Sequence, residues 1–105
     1  MAYDIYATES FEKRVEKLST SERKALNNLF LQLKENPYVG DPIKFKFFRE
    51  KRLKEKRIYY LIYEDFLVVL LVAFGGKKTQ QETIDEIVKL LPEYKKYIEK
   101  LMKNN

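Results

Sequence analysis

Residues 57–76, RIYYLIYEDFLVVLLVAFGG, decide the fold. Ile58, Tyr60 and Ile62 alternate with Arg57, Tyr59, Leu61 and Tyr63. That period of two is a strand with one set of side chains on each face. Glu64-Asp65 reads as a tight turn. Phe66 to Phe74 follows as nine consecutive apolar residues. A bilayer needs about 20, so this stretch does not span one. Being apolar on both faces, it predicts a central strand covered on both sides. Gly75-Gly76 breaks it. Two strands joined by a tight turn lie antiparallel. Whatever opens the first therefore lies beside whatever follows the second, which places Arg57 next to Lys77 and Lys78.

Upstream of this pair, Ile43 to Phe48 alternates Lys44 and Lys46 with Phe45 and Phe47, a third strand. A loop or hairpin around Glu50 to Glu55 joins it to Arg57. Gly40-Asp41-Pro42 reads as a turn. Before it, Leu26, Leu29, Phe30 and Leu33 mark the apolar face of a helix. Ser19 and Glu22 form its capping box, and Asn36-Pro37 ends it. An earlier helix is capped by Thr8, with Glu9 and Glu12 in its first turn and Phe11, Val15 and Leu18 on its apolar face. Tyr3 to Ala7 is a short strand. Downstream, Thr79 and Glu82 read as another capping box, and Ile84, Ile87, Val88 and Leu91 give a helix. Pro92 suits the first turn of a last helix, faced by Tyr94, Ile98 and Leu101. The order is βααβββα(α). It predicts one α+β domain over residues 1–105: an antiparallel sheet of about four strands, two N-terminal helices on one face, and C-terminal helices.

Charge is concentrated. Residues 44–57, KFKFFREKRLKEKR, hold eight Lys or Arg against Glu50 and Glu55, a net of +6. The chain is +5, from 21 basic and 16 acidic residues. The remainder therefore carries 13 basic and 14 acidic residues, a net of −1. A near-neutral body with one cationic segment is the footprint of a phosphate-backbone binder. A solvated hairpin reads the same way by charge alone.

Cys and His are both absent. That excludes a disulfide framework, a thiolate nucleophile, a Cys or His metal site and imidazole acid–base chemistry. The expectation is no metal and no cofactor. MAYDIYATES has no basic n-region and no apolar h-region, so no signal peptide is expected. The expectation is a soluble, cytoplasmic protein with no membrane partner.

Three groups can carry chemistry. The basic strand and hairpin supply Lys44, Lys46, Arg49, Lys51, Arg52, Lys54 and Lys56. Arg57 with Tyr59, Tyr60 and Tyr63 suits unpaired nucleic acid, the cation for phosphate and the rings for bases. Gly75-Gly76-Lys77-Lys78-Thr79 sits between a strand and a helix start, a setting that favours an anion. It lacks the GxxxxGK[ST] spacing of a P-loop. The antiparallel geometry gathers all three at one end of the sheet.

The βαα-βββ-α order, the basic strand, RIYYLIYED, VVLLVAFG and the following GKK turn resemble the RelE/ParE toxin superfamily. The likeness covers nearly the whole chain. It implies a toxin of a toxin–antitoxin pair, neutralised by a cognate antitoxin. RelE-type members are ribosome-dependent endoribonucleases that cut mRNA, and ParE-type members poison DNA gyrase. A non-catalytic nucleic-acid- or antitoxin-binding module is a third reading. On the RelE pattern, Arg49 and Lys51, or Lys44 and Lys46, match the basic pair on the strand before the hairpin. Arg57 matches the Arg that opens the next strand, and Lys78 the basic residue after the Gly-Lys turn. The family's C-terminal Tyr falls on Ile84, and Tyr94 or Tyr97 could replace it only if the last helix folds back.

The implied reaction uses the ribose 2′-OH as nucleophile and needs no metal. A lysine crowded by like charge gives up its proton more readily. Lys51 or Lys54 is then the candidate base, with Arg57 and Lys78 stabilising charge. Lys44, Lys46, Arg49, Arg52, Lys56, Tyr59 and Lys77 are the candidate RNA contacts on mRNA or the ribosome. Because Arg57, Lys77 and Lys78 repel one another, Arg57→Ala is expected to leave the melting temperature unchanged or slightly raised.

Overall fold

The computed structural model of the chain describes residues 2–103. Local signals set the N-terminal half. After β1 (Asp4–Ala7), Thr8 caps α1 (Glu9–Val15), its Oγ1 accepting the Phe11 N–H at 3.2 Å. Ser19 opens α2 (Thr20–Glu35) with a complete capping box. Its Oγ accepts the Glu22 N–H at 3.2 Å, and Glu22 Oε1 accepts the Ser19 N–H at 2.9 Å. Asn36 ends α2, and a 3-10 turn follows at Pro37–Val39.

The strands β2 (Asp41–Ile43), β3 (Phe45–Leu53), β4 (Lys56–Tyr63) and β5 (Val68–Gly75) complete a five-stranded sheet in the order β1-β5-β4-β3-β2. β2 to β5 are antiparallel neighbours, and β1 lies parallel to β5. The sheet is mixed and has one strand more than expected. The extra strand, β2, occupies the stretch read as a turn. Pro42 has no N–H to give, yet an edge strand tolerates it, and the register slips beside it. The hairpin expected over Glu50 to Glu55 is shorter: β3 runs on to Leu53, and Lys54-Glu55 alone make the turn, with Lys54 at φ 57°.

Alternation along β4 splits the core as expected. Ile58, Tyr60 and Ile62 pack with Phe11, Leu26, Leu29 and Leu33 on the α1/α2 side. Tyr59 and Leu61 pack on the other side with Ile84, Ile87 and Ile98. β5 is buried on both faces, as an apolar central strand must be. A bulge opposite Tyr59 and Tyr60 puts both Val72 and Ala73 on the second side. That shift returns Phe74 to the first side, where it stacks on Phe11 with centroids 4.4 Å apart.

The C-terminal segment is one helix, α3 (Gln80–Lys103), not two. Pro92 lies inside it on an exposed face. An interior proline costs a helix about 3 kcal/mol. Continuing the helix buries Ile98 completely against the same sheet face as Ile84 and Ile87, worth about 1.5–3 kcal/mol for that side chain alone. The Thr79–Glu82 capping box does not form: Thr79 Oγ1 turns back and accepts the Gly76 N–H at 3.2 Å. Among the described residues, no helix is long and apolar enough to cross a membrane, and no group of three or more acidic, His or Cys side chains is placed to hold a metal.

Candidate nucleic-acid interface

The sheet register sorts the basic segment onto two faces. Across β3 and β4, Glu50 stands opposite Tyr59, Lys51 opposite Ile58, and Arg52 opposite Arg57. Directly opposed residues share a face. Glu50, Arg52, Arg57 and Tyr59 therefore lie on the α3 side. Arg49, Lys51, Leu53 and Lys56 lie on the α1/α2 side.

The α3-side cluster is centred on Glu50, a residue that charge counting treats only as a subtraction. Its Oε1 accepts from Arg57 Nη1 at 3.1 Å and from Gln80 Nε2 at 3.0 Å. Its side chain is 10% exposed and that of Arg57 25%. The carboxylate thus ties β3, β4 and the first residue of α3 together. Arg52 and Arg57 are like charges in directly opposed positions, which destabilises a bare pair. The structure relieves this in two ways: Arg57 turns to Glu50, and Arg52 Nε donates to the Lys54 carbonyl at 3.0 Å. Arg57 also pairs across to Gly75, so the exposed Lys77 and Lys78 follow at the same sheet end. The convergence of Arg57 with the GKK turn is as the antiparallel argument expects. Arg52, Arg57, Lys77 and Lys78 gather there near the Glu50 carboxylate.

Tyr59 lies underneath this cluster and is fully buried. It was expected as a stacking partner for bases, but α3 covers its face of β4 and leaves no ring surface for a base. A Cβ at Gly75 would meet Tyr59 Cε2 at 2.9 Å, so Gly75 is the residue that lets ring and strand approach this closely. The Tyr59 hydroxyl is buried with no hydrogen-bond partner. Burial, and then the nearby Glu50 carboxylate, push its pKa up.

Other expected contacts have structural partners. Arg49 is 9% exposed. Its Nη1 donates to the Gly40 carbonyl at 2.7 Å, its Nε to the Lys46 carbonyl at 3.1 Å, and its guanidinium stacks over Tyr38. With Tyr60, whose Oη donates to the Pro37 carbonyl at 2.7 Å and accepts from Gly40 N–H at 3.0 Å, it clamps the loop before β2. A Cβ on Gly40 would lie 2.6 Å from the Glu50 carbonyl oxygen, so this clamp also requires glycine. Lys56 Nζ reaches Glu22 Oε2 at 2.6 Å, joining the hairpin to α2. That contact comes first, and the Ser19 N–H second, in holding the Glu22 carboxyl down to about 2.

Lys51 faces away from Arg57, and Lys54 sits exposed in the turn. Ile84 is buried. Tyr94 and Tyr97 lie 10 and 13 residues further along the same continuous α3, about 15 and 20 Å away at 1.5 Å per residue. The last helix does not fold back, so neither tyrosine reaches the Arg57 end. Lys44 and Lys46 lie at the opposite end of β3, on an exposed stretch with Phe45 and Phe47.

No protein-family model and no curated protein matches the chain. Solved structures do. A double mutant of the E. coli toxin RelE in the free state matches with a TM-score of 0.68 at 20% identity, covering 83% of this chain and 99% of that one. The intact E. coli RelBE toxin–antitoxin complex gives 0.65 at 20% identity, covering 71% and 96%. The archaeal RelE–RelB complex from Pyrococcus horikoshii gives 0.63 at 15% identity, covering 73% and 97%. Sheet and helix order therefore belong to one known architecture: the chain has the RelE toxin fold.

Proposed function

We propose that this protein is a RelE-like toxin that cleaves mRNA and is held inactive by a cognate antitoxin. One observation carries the reading: on a RelE fold, Arg52, Arg57, Lys77 and Lys78 converge at an open sheet end around a buried carboxylate. The solved RelBE complexes support the partner, since those toxins are bound to antitoxins. An acidic or amphipathic chain would mask the same cations.

In the proposed reaction the ribose 2′-OH attacks the adjacent phosphorus, the 5′ oxygen leaves, and a 2′,3′-cyclic phosphate remains. Arg57 uses one of its five N–H donors on Glu50 and keeps others for a phosphate oxygen. Lys77 and Lys78 add charge and can protonate the leaving oxygen. Of the two expected bases Lys51 fits poorly, because it points to the other face. In this reading Glu50, beside Arg57, is a further candidate to take the 2′-OH proton. Arg52 and Lys54 hold the flanking backbone.

The test is expression without a partner. Pulse labelling should show protein synthesis falling first, and mapped mRNA breaks should carry cyclic phosphate and 5′-OH ends. If DNA synthesis falls first, a ParE-like action on a topoisomerase is the better reading. One observation favours a non-catalytic module instead: Ile84 is buried and offers no hydroxyl at the α3 position the resemblance makes catalytic. Growth arrest without any RNA break would select it.

A further inference from the structure

The end of the sheet away from Arg57 carries a second feature. Phe45 is 41% exposed and Phe47 39%. Their rings stack on each other, with centroids 5.1 Å apart and 6° between planes. Large apolar side chains in an antiparallel sheet normally face the core. These two stand in the open instead. The sequence interleaves them with Lys44 and Lys46, both exposed. Phe47 also borders an open hollow of about 540 Å³ with Tyr38, Phe66 and Glu64. Phe66 is a third exposed ring, at 38%. Lys46 lies over Tyr38, 5.3 Å from its centroid.

We propose that Phe45 and Phe47 form a base-stacking platform for unpaired RNA, with Lys44 and Lys46 holding its phosphates. The inference rests on the proposed RNA-directed function and extends it to a second contact remote from Arg57. Exposed rings alternating with cations are the chemistry of single-strand binding: rings accept any base face, and lysines follow the backbone. The hollow supports bases rather than phosphates as its occupants. Glu64, Asp65 and Glu99 line it beside Lys46 and Lys95. Carboxylates repel phosphate but accept hydrogen bonds from the amino groups of adenine, cytosine or guanine. The backbone therefore runs on the Lys44 and Lys46 side, and the bases turn toward the rings.

The experiment compares short oligoadenylate with an abasic oligomer of equal phosphate number, by fluorescence anisotropy. The proteins are the wild type and the Phe45→Leu/Phe47→Leu double variant. Leucine keeps the apolar bulk at two exposed positions, and thermal melting checks that the fold is unchanged. The wild type should bind oligoadenylate about tenfold or more tighter than the abasic oligomer. The double variant should bring the two affinities together while leaving abasic binding and its salt dependence as they were. A preference for oligoadenylate that survives in the double variant overturns the platform and leaves RNA binding at the Arg57 end intact. A wild type that binds neither oligomer overturns the platform, whereas the proposed cleavage stands or falls separately on the mapped mRNA breaks. Unchanged RNA binding with weakened binding of a neutralising protein assigns the two rings to protein docking instead.

Discussion

Arg57 and Glu50 each stand where the other is needed. By sequence Arg57 is one of three mutually repelling cations, and its loss should not cost stability. In the structure it partners a carboxylate that is 10% exposed. Arg57→Ala leaves that carboxylate with Gln80 alone. It should therefore lower stability by about 1–3 kcal/mol in a urea titration, besides abolishing any RNA cleavage. Arg57→Lys should restore part of the stability but less of the cleavage, since lysine lacks the planar fork. Glu22 gives the second prediction at this scale. Its carboxyl is held at about 2 against an ordinary 4.5, chiefly by Lys56. A lowered folded pKa contributes stability above the unfolded value and loses it as pH falls through the folded one. The contribution should thus be complete above about pH 4.5 and disappear toward pH 2. Glu22→Gln should flatten melting temperature against pH in that window. A wild-type curve already flat there would remove the Lys56–Glu22 tether from the account.

Among the elements, α3 departs furthest from its local signals. Pro92 marks a helix start by the usual rules, yet the helix runs through it for 24 residues. Propensity is local, whereas the apolar faces before and after Pro92 both find cover on the same sheet. Pro92→Ala restores one backbone hydrogen bond on an exposed face. It should stabilise the protein by about 1–3 kcal/mol, read as a higher melting temperature. A lower one would mean that a bend at Pro92 is needed to seat Ile98. The helix also separates two tyrosines from the cationic end, since Tyr94 and Tyr97 ride its distal half. The bulge in β5 acts on a similar scale: one extra residue decides that Phe74 reaches Phe11.

For the whole molecule, a near-neutral body carries its positive charge along β3 and at the Arg57 end of a five-stranded sheet. RNA affinity should fall with salt with a log–log slope of about −0.7 for each phosphate neutralised. Arg52→Ala, on an exposed residue that leaves the core intact, should make the slope shallower by about that amount. A slope unchanged by the substitution would take Arg52 out of the interface. Much of this architecture is legible in the chain. The alternation of Arg57 to Tyr63, the apolar run ending at Phe74 and the caps at Thr8 and Ser19 all involve residues a few positions apart, so side-chain period and backbone chemistry fix them locally. The meeting of Arg57 with the GKK turn follows from antiparallel order alone. Only the tertiary structure decided which face each cation takes, because a one-residue change of register turns every side chain to the other side of the sheet. It alone joined Glu50 to Arg57 and Gln80, 7 and 30 positions away. It also buried Tyr59 and committed Arg49 and Lys56 to the frame. Hydrogen bonds and ion pairs between distant residues depend on how layers pack, and no period within the sequence encodes that.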